Sequence, residues 1–199
     1  MAADIRLARL TGEALAARLD DIAALRCAVF REWPYLYEGN ADYERAYLAK
    51  LATGDGLAVA ALDGTRIVGV STAMPLAQEH EAFLKPFRDA GMDVGRFFYL
   101  AESVLEPTYR GRGIGVRFFE EREAAARDGG HDRTCFCAVV RPDDHPARPA
   151  DYRPLDAFWR RRGYEKLPGI TTSFPWREIG DEAETEHPMQ FWGRSLSAA

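Results

Sequence analysis

The chain has 199 residues, of which 47% are hydrophobic and 29% are charged, as in an ordinary globular protein. This length is sufficient for one buried core, so we expect a single domain over residues 1–199. The formal net charge of −5 argues against general nucleic-acid binding, which requires a basic surface. No window approaches the roughly 18 apolar residues of a membrane span, and the N-terminal residues do not resemble a secretory signal. We therefore expect a cytoplasmic protein with neither nucleic acid nor membrane as a partner.

Hydrophobic periodicity predicts a strand and two helices at the start of the chain. Residues 5–10 alternate apolar and charged side chains, as a half-buried strand does. Residues 12–33 place apolar side chains at helical spacing and predict one helix, which Pro34 ends. An aromatic-rich loop follows, and residues 42–54 predict a second helix.

The middle of the chain predicts a hairpin, a helix and a strand. Residues 57–76 contain two β-prone runs around Asp63-Gly64, which is a strong turn signal. Residues 79–91 are helical but interrupted by Pro86, and we interpret them as an inserted lid. Residues 97–107 predict the next strand.

The remaining residues alternate between strands and helices. Residues 133–141 predict a strand, a proline-rich loop extends to residue 154, and residues 155–163 predict a helix. Two final strands are expected over residues 165–176 and 188–196, the second after an acidic linker. Helices interleaved with strands, joined by both hairpins and crossovers, indicate a mixed α/β fold.

Cysteine and histidine spacing gives no metal-binding pattern. Cys135 and Cys137 lie two residues apart in a strand-like run, which is unsuited to a structural disulfide. Cys27 is far away in the sequence, and the four histidines are scattered. Without a second cysteine pair or a histidine pair nearby, we predict a reduced protein that binds no metal.

A hexapeptide rich in arginine and glycine, RGRGIG, lies between the predicted strand 97–107 and an amphipathic helix. The first amides of a helix lack intrahelical partners and lie at the positive end of its dipole, so they favour phosphate. Glycines allow close approach to those amides, and arginines add donors suited to phosphate oxygens. The spacing fits neither a P-loop nor the dinucleotide-binding fingerprint. The residues of the hexapeptide are Arg110, Gly111, Arg112, Gly113, Ile114 and Gly115.

The pattern R-x-x-G-x-G at residues 110–115, with its flanks from 94 to 129, resembles the pyrophosphate-binding segment of the GCN5-related N-acetyltransferase (GNAT) superfamily. The segment LDAFWRRRGYEKL is similar to that superfamily's late helix, which leads through Gly163 into a strand. The resemblance implies a mixed, mostly antiparallel sheet of six or seven strands, flanked by helices. It further implies a V-shaped cleft between the strand before the hexapeptide and the next one, and acetyl-CoA as co-substrate.

The same resemblance assigns the coenzyme to backbone groups. Matched by distance from Pro107, Ser103, Val104 and Leu105 would bond the pantetheine arm as an added strand does. The pyrophosphate would then bind the amides of residues 110–115.

Acetylation of an amine needs a deprotonated amine, a polarised thioester carbonyl and a stabilised leaving thiolate. A backbone N–H near Val104 or Leu105 could polarise the carbonyl. The resemblance places a general base at positions matching Tyr99 or Ala101, so Glu102 is one residue out of register unless a bulge shifts it. Glu102 is therefore either a catalytic or acceptor-binding group or a carboxylate paired with an arginine, and Tyr99 is the second catalytic candidate.

The superfamily's usual general acid is a tyrosine four residues before Gly163, but this chain has Trp159 there, without an acidic hydroxyl. Tyr164 and Tyr152 are nearby alternatives, and Tyr164 also fits a packed aromatic residue. Cys137 is either an acyl-accepting thiol or a buried structural cysteine.

Candidate acceptor-binding residues lie in two loops. Trp33 and Tyr35 follow the first helix, and Arg141 begins the proline-rich loop. Aromatic side chains there could bind an apolar or cationic substrate, or could only pack the loop. The sequence predicts an N-acyltransferase for a primary amine, with a small-molecule acceptor as partner. The alternative is a non-catalytic acyl-CoA-binding or regulatory module, and exposed C-terminal strand edges leave a homodimer open.

Overall fold

The structure, a computed structural model, describes residues 5–196; residues 1–4 and 197–199 of the expected domain lie outside it. No helix in the described range is long and apolar enough to cross a membrane. The strands of this range are β1 Arg6–Leu10, β2 Leu57–Asp63, β3 Arg66–Pro75, β4 Phe97–Tyr99, β5 Ser103–Leu105, β6 Arg133–Val139, β7 Glu165–Trp176 and β8 Thr185–Ser195. Its α-helices are α1 Gly12–Ala16, α2 Leu19–Phe30, α3 Ala41–Thr53, α4 Glu81–Asp89, α5 Ile114–Asp128 and α6 Asp156–Arg161.

All eight strands belong to one open sheet with the order β1-β2-β3-β4-β6-β8-β7, and β5 pairs beside β4 on β3. Within the described residues β4 and β6 are the parallel pair, and the other neighbours are antiparallel. The predicted mixed α/β fold with a mostly antiparallel sheet is confirmed.

Helices cover both faces of the sheet at β2 and β3, and this explains the unbroken apolar sequence of these strands. Leu57 to Leu62 are all buried. Ala58 and Ala60 pack with α2 and α3 on one face, whereas Val59 packs with α5 on the other. Burial on both faces removes the alternation of polar and apolar residues that a half-exposed strand shows.

The predicted strand 97–107 is broken in the middle, and its halves have different neighbours. Both β4 and β5 pair with β3, but only β4 also pairs with β6. The last bond across that second pairing runs from the Leu100 amide to the Cys135 carbonyl, at 2.8 Å. Beyond it β6 continues beside β8, and β5 has no strand neighbour on that side in the described sheet. We call this divergence of β5 from β6 the fork; it is the expected V-shaped cleft.

The prediction of one helix over residues 12–33 was wrong, because the chain breaks between Ala16 and Leu19. Arg18 leaves helical geometry, with φ −121° and ψ 11°. Its guanidinium donates to the carbonyl of Thr65 at 3.0 Å and pairs with Asp21 at 2.7 Å. The helix then ends at Phe30, before the loop that contains Pro34.

The segment containing Pro86 is a continuous helix, α4, and not an interrupted lid. Its apolar face is buried in the core through Phe83, Leu84 and Phe87. Proline cannot donate to the carbonyl four residues before it, here that of Ala82. The hydroxyl of Thr172 on β7 donates to that carbonyl instead, at 2.6 Å, so the proline leaves no buried acceptor unpaired.

Tyr164 belongs to a buried polar cluster between α5 and the C-terminal strands. It is fully buried, and its hydroxyl donates to Glu123 at 3.0 Å and lies 2.9 Å from the hydroxyl of Thr134. Arg162 and Arg194 complete the cluster around the same carboxylate. Burial raises the pKa of Tyr164, so its phenol stays neutral and keeps its proton for this bond.

We predict that Tyr164→Phe lowers the free energy of unfolding by about 1–3 kcal/mol, because a buried carboxylate loses a donor. Urea denaturation measures the change. Tyr152→Phe is the matched control, since the Tyr152 hydroxyl has no hydrogen bond among the described residues and should change stability by less than about 0.5 kcal/mol. Equal losses in both variants would contradict this structural role.

Candidate active site

The arginine- and glycine-rich hexapeptide forms a tight loop that leads into α5. Gly111 and Gly113 have φ values of 75° and 78°, the left-handed region that favours glycine. Gly113 caps the helix, and its carbonyl accepts bonds from the amides of Val116 and Arg117 at 3.1 and 3.2 Å. The helix therefore begins at Ile114, inside the hexapeptide and two residues before the segment that the sequence predicts as helical.

The amides in front of α5 are free. Across residues 5–196, the amides of residues 111–115 donate to no protein acceptor. A Cβ atom placed on Gly111 or Gly113 would meet no atom within 4 Å, so the space before these amides is open. Five unpaired donors at a helix N-terminus form a cradle suited to phosphate oxygens.

The two arginines of the hexapeptide lie exposed beside this cradle. Arg112 lies 5.0 Å above the ring of Tyr109 and donates to the carbonyl of Thr108 at 2.8 Å. Arg110 donates to the Leu105 carbonyl at 3.0 Å and pairs with Glu32 at 2.8 Å. Both guanidinium groups thus border the open space in front of the amides.

The edge of β5 towards the fork is open at alternate residues. Val104 opposes Val70 in the ladder with β3, and the Glu106 amide donates to β3 at 3.0 Å. Because bonding alternates along an antiparallel pair, the backbone groups of Ser103 and Leu105 point away from β3. The Ser103 and Leu105 groups face the fork, whereas those of Val104 face β3. The sequence analysis assigned all three residues to the pantetheine arm without this distinction.

Glu102 lies in the break between β4 and β5, where its carboxylate has two partners. The Thr72 hydroxyl donates to it, and Arg26 of α2 approaches within 2.7 Å. The same guanidinium is bonded to Glu44 of α3. Burial alone would lower the pKa of Arg26, but Glu102 and Glu44 raise it. This arrangement is the arginine pairing that the sequence left open, and a catalytic role for Glu102 stays a prediction.

A second buried arginine reaches the same break from the opposite face of the sheet. Arg122 of α5 is fully buried, and its Nη1 lies 3.3 Å from the Thr72 carbonyl and 3.2 Å from the Glu102 carbonyl. Burial lowers the pKa of Arg122 to about 10, which still leaves it charged at neutral pH. We call Arg26 and Arg122 together the arginine clamp.

Sequence reasoning missed the clamp, although a signal was present. Arg26 follows Ile22 by four residues and Arg122 follows Phe118 by four, so each arginine lies on the apolar face of its helix. A charged residue on such a face requires a buried partner. The helical pattern alone does not identify that partner.

Tyr99 and Cys137 meet at the fork from β4 and β6. The Tyr99 hydroxyl and the Cys137 sulfur are 3.0 Å apart, and both side chains are buried. Burial raises the pKa of Cys137 to about 12 and that of Tyr99 well above its usual range. The Cys137 thiol is therefore protonated at neutral pH, which disfavours the acyl-cysteine interpretation.

Trp33 packs against the proline-rich loop. Its ring centroid lies 4.9 Å from that of His145 and 5.9 Å from that of Tyr152. Tyr35 packs against Phe30, with centroids 4.9 Å apart. The aromatic residues predicted for the acceptor site thus join two loops over one end of the sheet.

Arg141 holds these loops through its guanidinium. It donates to the carbonyls of Pro34 and Tyr35 at 2.8 and 3.1 Å, and it pairs with Glu178 at 2.5 Å. Glu178 neutralises the charge of Arg141, and the bonds of Arg141 fix the loop that contains Pro34 and Tyr35.

The side chain at the usual general-acid position packs in the core. The Trp159 ring lies 5.0 Å from that of Phe136 and 5.1 Å from that of Trp192. Tyr164 is sealed in its own cluster. Neither residue offers an acidic proton to the fork.

A concavity of about 630 Å³ lies elsewhere, between α4 and β7. Lys85, Pro86 and Thr172 line it, and it contains neither the free amides nor the fork. No group of three or more histidine, cysteine, aspartate or glutamate side chains in residues 5–196 is arranged to hold a metal. Unpaired backbone donors, and not cavity size, identify the candidate site.

Comparison with known families identifies the family of this chain. The model of the acetyltransferase (GNAT) family matches residues 21–164. The chain belongs to this family. The match contains the clamp, the fork and the phosphate cradle of this GNAT acetyltransferase. No curated protein sequence matches the chain significantly.

Solved structures agree in fold. A ribosomal-protein-alanine N-acetyltransferase from Brucella melitensis is 16% identical, with a TM-score of 0.62 over 97% of this chain and 99% of that one. A phosphinothricin acetyltransferase from Sinorhizobium meliloti, in complex with AcCoA, is 18% identical, with a TM-score of 0.59 over 98% and 89%. An N-acetyltransferase from Staphylococcus aureus Mu50 is 10% identical, with a TM-score of 0.63 over 98% and 99%. At these identities the similarity shows the fold alone.

We predict that Arg26→Met lowers the free energy of unfolding by about 3–5 kcal/mol, because Glu44 is left buried without a cation. Chemical denaturation measures the change. The double variant Arg26→Met/Glu44→Met should recover much of the loss, since no charge is then left unpaired on that side.

Arg45→Met is the surface control for this prediction. Arg45 pairs with the exposed Asp20 and Asp42, so its removal should cost less than about 1 kcal/mol. An Arg26 variant as stable as the Arg45 variant would show that the clamp contributes little to stability.

Proposed function

We propose that this protein is an N-acetyltransferase that moves an acetyl group from acetyl-CoA to a primary amine of a small molecule. The observation that supports this proposal most is the alignment of free backbone donors. Five unpaired amides at the start of α5 follow closely on the strand edge of β5, where the Ser103 backbone groups and the Leu105 amide face the fork and Arg110 occupies the Leu105 carbonyl. A ligand with a diphosphate at one end and a peptide-like arm at the other matches both features.

The residues present fit this co-substrate. The amides of residues 111–115 would hold its diphosphate, with Arg110 and Arg112 beside them. Ser103 and Leu105 would bond its pantetheine arm, because their backbone groups face the fork. The arm would then lead towards Glu102 and the break in the strand. When bound, the co-substrate supplies a thioester acetyl group.

The chain can assist acetyl transfer mainly through backbone groups. The Ser103 amide faces the fork next to the clamped residue Glu102, and a fixed N–H there would stabilise negative charge developing on an oxygen. Trp159 has no proton to give, so the departing sulfur would be protonated by water or by the amine.

Two features support a small-molecule acceptor. Trp33 and the proline-rich loop cover the acceptor end through contacts with His145 and Tyr152. Arg141 fixes this cover by binding two carbonyls of the opposite loop. A covered, aromatic site suits a compact amine better than a folded protein surface.

One observation favours a second function, that of a non-catalytic acyl-CoA-binding module. Glu102 is paired with Arg26, and the position of the usual general acid is the packed Trp159. Such a module would bind acetyl-CoA without turning it over. The cytoplasmic location and the homodimer also stay predictions, as does the absence of nucleic-acid and membrane partners.

We predict that the protein binds acetyl-CoA and releases free thiol with at least one of 2-phenylethylamine, n-hexylamine and spermidine. The double variant Arg110→Ala/Arg112→Ala should weaken binding by about 1.5–3 kcal/mol for each lost charge-assisted contact. Calorimetry measures the affinity, and a thiol-detecting assay measures the turnover.

Arg127→Ala is the matched control, because it removes the same charge at the other end of α5. It should leave the affinity nearly unchanged. Undiminished binding by the double variant would show that the phosphates bind elsewhere. Binding without turnover of any of the three amines would favour the regulatory module.

A further inference from the structure

A second carboxylate, Glu79, lies four residues after the end of β3 and contacts α3. Its Oε1 lies 3.4 Å from the hydroxyl of Tyr47 on α3, and its Oε2 accepts the backbone amide of His80 at 2.7 Å. The side chain is partly buried. Sequence reasoning did not single it out, because it follows the predicted hairpin by only a few residues.

Glu79 and Glu102 differ in their counter-charges. Glu102 is paired with Arg26, whereas Glu79 forms no salt bridge with an arginine, lysine or histidine side chain in residues 5–196. Arg26 is itself shared between Glu44 and Glu102, so one cation serves two carboxylates. Arg26 therefore leaves the negative charge of Glu79 without a cation of its own.

The neighbours of Glu79 connect it to the strand break. Its Oε1 lies 3.4 Å from the Tyr47 hydroxyl, and the ring of Tyr47 lies 5.0 Å from the guanidinium of Arg26, which pairs with Glu102. Glu79 is thus linked to Glu102 through Tyr47 and Arg26. Burial is the main cause of the raised pKa of Tyr99 and of Cys137, where β4 and β6 part, and the charge of Glu79 adds to both.

We propose that Glu79 is the catalytic residue that takes the proton from the acceptor ammonium, while Glu102 is a positioning residue. The inference rests on the proposed function. An N–H bond of the ammonium breaks and leaves its electron pair on nitrogen, and the proton forms an O–H bond with the Glu79 carboxylate. The nitrogen pair then bonds the acetyl carbon as the carbon–sulfur bond breaks, and that bond's electrons remain on sulfur. The second amine proton passes to the thiolate or to water.

The protonation behaviour of Glu79 agrees with this task. Burial raises the pKa of Glu79, and the nearby Glu102 adds to this effect. Bonds from the His80 amide and from Tyr47, with the more distant charge of Lys50, oppose it. The ionisable groups that face Glu79 are Tyr47 and Lys50 on α3, Glu102 in the strand break, Tyr99 on β4 and Cys137 on β6. A raised pKa makes a carboxylate a stronger base near neutral pH.

The direct test is Glu79→Gln, assayed with the amine of the panel that the wild type acetylates fastest. We expect kcat/KM to fall about 10²-fold or more at pH 7. The wild-type plateau above the pKa of Glu79 should be lost, so that the rate of the variant follows the free-amine fraction of the substrate and keeps rising with pH. Acetylation of hydroxylamine, a nucleophile that is largely neutral at pH 7 and needs no base, should change less than about threefold. Glu81→Gln, an exposed carboxylate two residues away, is the control and should behave as wild type.

Tyr47→Phe provides a second test that keeps the carboxylate. The bond from Tyr47 lowers the pKa of Glu79, so its loss should move the acid decline of kcat/KM to higher pH without abolishing it. This shift separates proton transfer from a structural role, which would lower the rate equally at every pH. The test also stands if Glu79→Gln fails to fold.

Thermal unfolding gives a readout without any substrate. Because the folded pKa of Glu79 is raised, the folded protein holds this proton to higher pH than the unfolded chain does. Wild-type stability from this group is thus present at low pH and is lost as pH rises through the folded pKa. The Tm of Glu79→Gln should rise relative to wild type as the pH is raised from the ordinary glutamate pKa through the folded pKa of Glu79.

The outcomes are distinguishable. A wild type that acetylates none of the three amines overturns the proposed function, and this inference with it. An active wild type whose Glu79→Gln and Tyr47→Phe variants keep its rate and pH profile overturns the role of Glu79 alone. Equal loss with hydroxylamine and with the panel amine would also overturn it.

Discussion

Two buried guanidinium groups hold one break in a strand from opposite faces of the sheet. Arg26 binds the Glu102 side chain from above, and Arg122 binds the Glu102 carbonyl from below. Removing a cation from water is costly unless its donors are satisfied, so both arginines require this local geometry. The break in turn ends the pairing between β4 and β6 and directs β5 away from its neighbour. Everything that we assign to the site follows from this divergence.

The divergence places two kinds of unpaired backbone donors in one line. Within the described residues the β5 edge has no strand partner on this side and the first amides of α5 have no acceptor, with only a short turn between them. Unpaired main-chain groups are costly when buried, so both sets remain at an open surface, where a ligand can satisfy them. Main-chain recognition of this kind depends on conformation more than on side-chain identity. It is therefore compatible with 16% and 18% identity to structures of the same fold.

Features encoded in neighbouring residues were predictable from the sequence. Asp63-Gly64 marks a turn and RGRGIG marks a helix start, because each depends on backbone preferences within a few residues. The ion pair between Arg26 and Glu102 was not predictable, since it joins residues that are distant in sequence. The same holds for Pro86, whose tolerance depends on a hydroxyl from β7. Tertiary contacts also decided between one long helix and two short ones around Arg18.

The clamp joins three segments of the chain that are distant in sequence. Its arginines come from the second and the fifth helix, and the residue that they share lies in the break between β4 and β5. Neither cation recovers its lost hydration until all three segments have docked. In a partly folded chain, therefore, an arginine of the clamp would remain exposed to water and the fork would not have formed. The site then forms only when the fold is complete. An incompletely folded chain would lack it altogether.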